Sequence, residues 1–396
     1  MYTHIIPWAI HTKPIAKEKR DDYSLLGNIL DRDVRNTQSG QTIGIPTGPD
    51  TSLIISEIIA CKIDQELVSK IGDSNGARYY DDYFLFFSDS TNAEKTLKCL
   101  QSLLTFYHLD INAEKTVIEC FPVPFESFWS IFLSRFEFRT GKTSQRTDLY
   151  RYFSLAFEYA QKYPRDTVLR YAVKRLEYLE ILPENWDTFE SLLLKSALSE
   201  PSTLPEVTRI LISNESLVSK EKVGVLAKEI ISIHCFKGHL FEVFWSLWLL
   251  KSLKIAIDVQ VAEKIVLLGD SISILILLDM RDSGLIAGYL DVSGLESELT
   301  SIELFDEKWL LTYESVKKGW LKPINANLLT SNAYFNLLYE NDVEFYISSN
   351  QLEIIQLSKE IAHEDNKPYE TNEELKPSAK KSTVVKVLPG DGVDLY

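Results

Sequence analysis

Arg78-Tyr79-Tyr80-Asp81-Asp82-Tyr83-Phe84-Leu85-Phe86-Phe87 sets two adjacent carboxylates between two aromatic, strand-like runs. Residues 77–80 and 83–88 read as the arms of a hairpin with the Asp-Asp pair at its short turn. Burying such a pair is costly unless a cation compensates the charge. Two carboxylates so placed can hold Mg²⁺ against a nucleotide's phosphates and stabilise the attacking and leaving oxygens of an in-line displacement. The dipeptide alone is equally ordinary turn chemistry on a solvated loop, so its neighbours decide.

Upstream lies Gly40-Gln41-Thr42-Ile43-Gly44-Ile45-Pro46-Thr47-Gly48-Pro49-Asp50-Thr51-Ser52. Gly44, Pro46 and Gly48 make a backbone of little side-chain bulk, suited to lying close beside a base pair, and Pro49 to Ser52 can open the next helix. From 53 to 68, Ile54, Ile55, Ile58, Ile59, Ile63 and Leu67 recur at helical spacing, with Glu57, Lys62, Asp64 and Glu66 on the wetter side. A tight turn before an amphipathic core helix is the plainer reading of this block. Downstream, residues 92–107 read as a helix with Leu97, Leu100, Leu103 and Leu104 inward, then comes Leu109-Asp110-Ile111-Asn112-Ala113-Glu114-Lys115-Thr116, and 116–121 reads as a strand. An ammonium at Lys115 could neutralise charge on a leaving pyrophosphate or donate a proton; a solvated lysine before a strand is the plainer alternative.

In this order and at this spacing the three blocks together resemble reverse transcriptases. Gly44 to Ser52 looks like that family's motif B, Tyr79-x-Asp-Asp like motif C, and the block around Lys115 like motif D. The resemblance implies that Asp81 and Asp82 bind catalytic Mg²⁺, or Mn²⁺ in its place. It implies that Gly44, Pro46, Gly48, Ser52 and Tyr80 shape the nucleotide and template pocket, and that Lys115 assists at the pyrophosphate. Thr47 departs from the pattern, standing where many relatives carry Gln. Tyr2-Thr3-His4-Ile5-Ile6-Pro7-Trp8-Ala9-Ile10-His11 resembles the segment just after motif A in bacterial defence-associated and abortive-infection reverse transcriptases. On that resemblance, motif A's aspartate and the fingers would precede residue 1, which implies an N-terminal truncation and a chain inactive by itself. The implied partners are an RNA template, its DNA product and deoxynucleoside triphosphates, with a non-coding RNA or a partner chain beside them, and the implied role is antiphage defence.

Composition bounds the remainder. At 396 residues and 45% hydrophobic content the chain can bury large cores in two or three domains. The most apolar stretches, 241–250 and 272–278, are too short to span a bilayer, and no signal peptide is visible where His4, Pro7, His11, Lys13 and Pro14 interrupt the apolar residues. Cys61, Cys99, Cys120 and Cys235 lack metal-ligand spacing, which suits reduced thiols in a cytoplasm. A formal net charge of −15 sits awkwardly with nucleic-acid binding. The local basic run Arg135, Arg139, Lys142, Arg146 and Arg151 can track a phosphate backbone, though a solvated basic face is the commoner meaning. Phe125, Phe128, Trp129, Phe132 and Phe136 before it read as an apolar hinge more than as a primer grip.

From residue 147 the periodicity is helical. Residues 166–182 place Val168, Leu169, Ala172, Val173, Leu176, Leu179 and Leu182 at steps of three and four, and Pro183 starts another helix. Segments 186–198, 204–212, 222–233, 239–253, 260–268 and 271–280 follow suit, a pattern that resembles irregular HEAT-like hairpins. His234-Cys235-Phe236-Lys237-Gly238-His239 reads as a loop between helices and not a zinc site, because no partner cluster is visible. Trp245, Trp248, Trp309 and Trp320 read as packing residues.

The expected fold class is therefore α+β: a partial reverse-transcriptase palm over 1–122, a thumb-like connector over 123–147, an α-helical repeat-like domain over 148–361, and a flexible tail over 362–396. Nucleotidyl transfer of deoxynucleotides to a 3′ hydroxyl is the expected activity. A non-catalytic helical scaffold that binds nucleic acid or a partner protein is the alternative.

Overall fold

The computed structural model describes residues 2–72, 75–122, 124, 126–346 and the backbone of 383–389. It divides into two compact units, Met1–Phe125 with Thr371–Tyr396, and Glu126–Glu370.

The first unit opens with helices α1 (Ile5–His11), α2 (Lys13–Glu18) and α3 (Leu26–Asn36), followed by the 22-residue α4 (Asp50–Ile71). Ile55, Ile59, Ile63 and Leu67 of α4 recur every fourth residue and are buried, with Ile5, Ile6, Trp8 and Ala9 of α1 in the same core. Each aliphatic side chain so buried contributes about 1.5–3 kcal/mol. The hairpin β1 (Asn75–Tyr79) and β2 (Asp82–Phe87) comes next, within a residue or two of the expected bounds. Helix α5 (Ser90–Phe106) starts where the Asp89 carboxylate accepts the Asn92 backbone N–H at 2.8 Å, and it buries Ala93, Thr96, Leu100 and Leu103.

Strand β3 (Ile111–Cys120) begins five residues earlier than the periodicity suggested, so Lys115 lies inside a strand and not before one. The cause is Asn112. Its side-chain oxygen accepts the backbone N–H groups of Glu114 and Lys115 at 3.0 and 3.2 Å, which shifts the register between Asn112 and Val117 while pairing continues on both sides.

The second unit is built from α6 (Phe128–Ser134), α7 (Lys142–Lys162), α8 (Val168–Lys174), α9 (Pro183–Ser199), α10 (Leu204–Ser213), α11 (Lys220–Lys237) and α12 (Leu240–Ser252). A two-residue strand β4 (Ile257–Asp258) then leads to α13 (Val259–Leu268), α14 (Ser271–Asp282), β5 (Ile286–Ala287), α15 (Ser293–Glu298), α16 (Trp309–Lys317) and α17 (Ala333–Glu340). Because β4 and β5 pair in parallel, the unit is helical but not purely so. Two apolar cores fill it, one around Leu149, Phe153, Phe189 and Leu211, the other around Leu247, Leu275, Leu278 and Tyr313. The expected Trp packing is present: Trp320 is buried, and Trp309 meets the Phe345 ring edge-on with centroids 5.2 Å apart.

Two expectations fail here. The helix read over 166–182 stops at Lys174, although Val168, Leu169, Ala172, Val173 and Leu176 are buried as its spacing required. Buried Gln145 replaces the missing helical bonds, donating to the Glu180 carbonyl at 2.9 Å and accepting the Leu182 N–H at 3.0 Å. The loop read over 234–239 is instead the last turn of α11, a left-handed Gly238 and the N-cap of α12. No helix among the described residues is long and apolar enough to cross a membrane.

The chain returns to the first unit in β6 (Thr383–Pro389), which pairs antiparallel with both β2 and β3 and gives the sheet order β1-β2-β6-β3. This segment falls within the expected tail; its run of Val384, Val385 and Val387 is β-prone. Residues 362–382 and 390–396 of that tail lie outside the described residues.

Candidate metal and nucleotide site

Tyr79 pairs with Asp82 across the hairpin, leaving Tyr80 and Asp81 as a two-residue loop. Such loops need a positive φ at their first position, ordinarily supplied by Gly, Asn or Asp. Tyr80 takes it at 53°, a conformation that costs a side-chain-bearing residue roughly 1–2 kcal/mol. Arg78 offsets that strain by donating to the Tyr80 carbonyl. Its other donors reach α4: Nη1 and Nη2 meet the two Glu57 oxygens at 2.9 and 2.6 Å, and Nε meets Asp64 Oδ2 at 2.9 Å. Tyr83, just past the turn, donates its hydroxyl to the other Asp64 oxygen at 2.7 Å. Glu57 and Asp64 are two helical turns apart on one face of α4, so one helix grips the hairpin on both sides of its tip.

The Arg78 guanidinium holds the Glu57 carboxyl below its ordinary range. The Glu57 hydrogen bond, with Asp64 beside it, raises Arg78 further and keeps it charged. Burial, then the bond to Asp64, pushes the Tyr83 phenol up, so it stays a neutral donor. Asp81 and Asp82 sit half-buried at the braced tip. Two adjacent carboxylates form an oxygen-only donor set of the kind that hard divalent cations such as Mg²⁺ and Mn²⁺ take. The donor chemistry therefore fits a metal.

The glycine-rich loop leads into the same helix. Gly44 and Gly48 have φ of 80° and 107°, where any side chain would be strained. Gln38 pins the loop from below, donating to the Gln41 and Gly44 carbonyls at 2.7 and 3.2 Å, and Thr3 donates its N–H to Thr42 at 2.9 Å. Pro46 is half-buried and Thr47 exposed. Ser52 is buried in the first turn of α4, where its carbonyl accepts the Ser56 hydroxyl. A cleft of about 650 Å³ runs along α4, lined by Leu53, Ile54, Glu57, Ile58 and Tyr80 among others. It brings Tyr80 beside the start of α4. Gly44, Pro46, Gly48, Ser52, Asp81 and Asp82 do not line it. Exposed Lys115 is on β3, with β6 between it and β2, so its backbone is two strand spacings, roughly 10 Å, from that of β2.

Sequence reasoning missed Arg78, Glu57, Asp64 and Tyr83. The seven-residue spacing of the two acids was visible, but an arginine two residues before the loop identifies no partner until the hairpin is docked on α4.

A glycine-turned loop opening a helix, with a paired-carboxylate hairpin braced on that helix, defines a mixed helix-and-sheet unit with a site suited to divalent metal. Residues 4–178 match the family model for reverse transcriptase (RNA-dependent DNA polymerase). That span contains all three sequence blocks and runs on into α8. No curated protein matches the chain.

Proposed function

We propose that this chain carries the nucleotidyl-transfer site of a bacterial defence-type reverse transcriptase, and that it works in the cytoplasm as part of antiphage defence. The observation that supports this most is the Arg78-braced turn presenting Asp81 and Asp82 inside the region matched by the family model. Asp81 and Asp82 would hold Mg²⁺ or Mn²⁺, which when bound neutralises charge on the nucleotide's phosphates. Gly44, Pro46, Gly48 and Ser52 would shape the base-pair side of the pocket, Tyr80 would meet the nucleotide, and Lys115 would supply positive charge toward the pyrophosphate. RNA template, DNA product and deoxynucleoside triphosphates are the partners, with a non-coding RNA or partner chain beside them. The helical unit, read as HEAT-like pairs, serves as the platform for those partners.

Two carboxylates without a third do not fix both ions of a two-metal displacement, so the chain alone is expected to be inactive. Primer extension with the purified chain and Mg²⁺ tests this. Robust incorporation that disappears in Asp81→Ala overturns the inactivity. In cells, loss of phage protection in Asp81→Ala or Asp82→Ala supports a catalytic complex assembled with another chain, whereas full protection in both favours the scaffold.

A further inference from the structure

The turn between α11 and α12 gathers three side chains that the polymerase reading leaves unused. Helix α11 ends in a left-handed Gly238 with φ of 70°, and the His239 N–H donates to the His234 carbonyl at 3.0 Å. This six-to-one bond is that of a Schellman ending, which places the residue after the glycine against the one five positions earlier. Apolar side chains usually make that contact. Here it is made by two imidazoles, with ring centroids 5.1 Å apart and Nδ1 atoms 3.0 Å apart. His239 is also the N-cap of α12, and Glu242 in that helix's first turn, a position favoured for a carboxylate, reaches back toward both rings. Glu242 Oε1 is 3.6 Å from His234 Nδ1 and 3.9 Å from His239 Nδ1.

Those three separations define a triangle with a point about 2.1 Å from every corner, which is the bond length Zn²⁺ takes to imidazole nitrogen and carboxylate oxygen. We propose that His234, His239 and Glu242 form a binding site for a borderline divalent cation of the Zn²⁺ class, clasping the α11–α12 turn. The donor set is two nitrogens and one oxygen, which favours Zn²⁺ over the Mg²⁺ suited to Asp81 and Asp82. Only three protein atoms converge, and half-exposed His239 leaves the fourth position to solvent water. Cys235 is outside the cluster; it packs against the helical core. The backbone bond and the two helix ends set the ligand positions before any ion arrives, so binding needs little reorganisation.

The test uses the full chain without a histidine tag, stripped with chelator and titrated with Zn²⁺ by calorimetry and with Co²⁺ by visible absorption. One equivalent is expected, with the intense ligand-field bands of a four-coordinate Co²⁺ and a rise in melting temperature on adding Zn²⁺. His239→Ala and Glu242→Gln, both partly exposed and expected to fold, each weaken binding at least tenfold, whereas Asp81→Ala leaves it unchanged. Absence of binding overturns the proposal. So does binding that survives His239→Ala combined with Glu242→Gln, because the ion would then sit elsewhere, and the His–His contact would be only a hydrogen bond closing the helix.

Discussion

Replacing Arg78 with alanine is expected to loosen the carboxylate turn without unfolding the protein. The Arg78 side chain is 10% exposed, and it bonds two carboxylates whose side chains are 48% and 33% exposed. Charge-assisted bonds of this kind are worth about 1.5–3 kcal/mol each when fully desolvated. Glu57 and Asp64 regain water when the guanidinium is lost, so solvent screening cuts the summed effect to roughly 2–3 kcal/mol. Asp64 also keeps the Tyr83 hydroxyl. The local consequence is sharper. Without the donor on its carbonyl, Tyr80 is free to relax from φ 53°, releasing about 1–2 kcal/mol that a bound cation must restore in order to recover the paired geometry. Affinity for Mn²⁺ at Asp81 and Asp82 therefore falls roughly 5- to 30-fold. Amide exchange over residues 78–87 reads the loosening, and Mn²⁺ titration followed by electron paramagnetic resonance reads the affinity. Arg78→Lys keeps the charge but not the fork that spans both acids, and falls in between. If Arg78→Ala leaves both exchange and Mn²⁺ affinity at wild-type values, the brace has no role in presenting the carboxylates.

Acidification should act through the same brace. Glu57 has a depressed folded-state pKa, so its contribution is complete above the ordinary value of 4.5 and is lost as pH falls through the depressed one; exchange over 78–87 accelerates only in acid, and a change between pH 6 and 8 would contradict this. Gln145→Leu removes three hydrogen bonds, to Glu180, Leu182 and Asn185, and leaves buried partners unsatisfied, at a cost of about 3 kcal/mol by urea denaturation; a change under about 0.5 kcal/mol sinks the assignment. Asp279→Ala strips the buried partner of Lys251 and Tyr346 and should destabilise the helical unit by about 3–5 kcal/mol, whereas exchange in the first unit stays unchanged. Val385→Pro breaks the ladder of a strand paired on both sides, opposite Leu85 and Ile118, at roughly 1–3 kcal/mol; wild-type exchange at 82–87 and 117–120 would show that β6 is not seated there.

What the sequence made legible was local, and what it hid was long-range. The hairpin could be read because aromatic, β-prone residues flank a two-residue loop, and α4 because Ile55, Ile59, Ile63 and Leu67 keep a strict helical step. Gly44 and Gly48 were readable as glycines that a turn requires, and their positive φ angles agree. Side-chain bonds that override the backbone were not readable. Asn112 starts β3 early by bonding two backbone N–H groups, and Gln145 ends a helix by substituting for its bonds from 35 residues away. Periodicity registers apolar positions and is blind to both. The same blindness hid β6, which pairs with strands nearly 300 residues earlier, and hid Glu242, because His234, His239 and Glu242 share no helix and meet only through the left-handed turn at Gly238. The brace on the carboxylate turn has the same origin: Arg78 is 14 and 21 residues from the acids that hold it, and only the docking of the hairpin on α4 turns three ordinary surface charges into the support for Asp81 and Asp82.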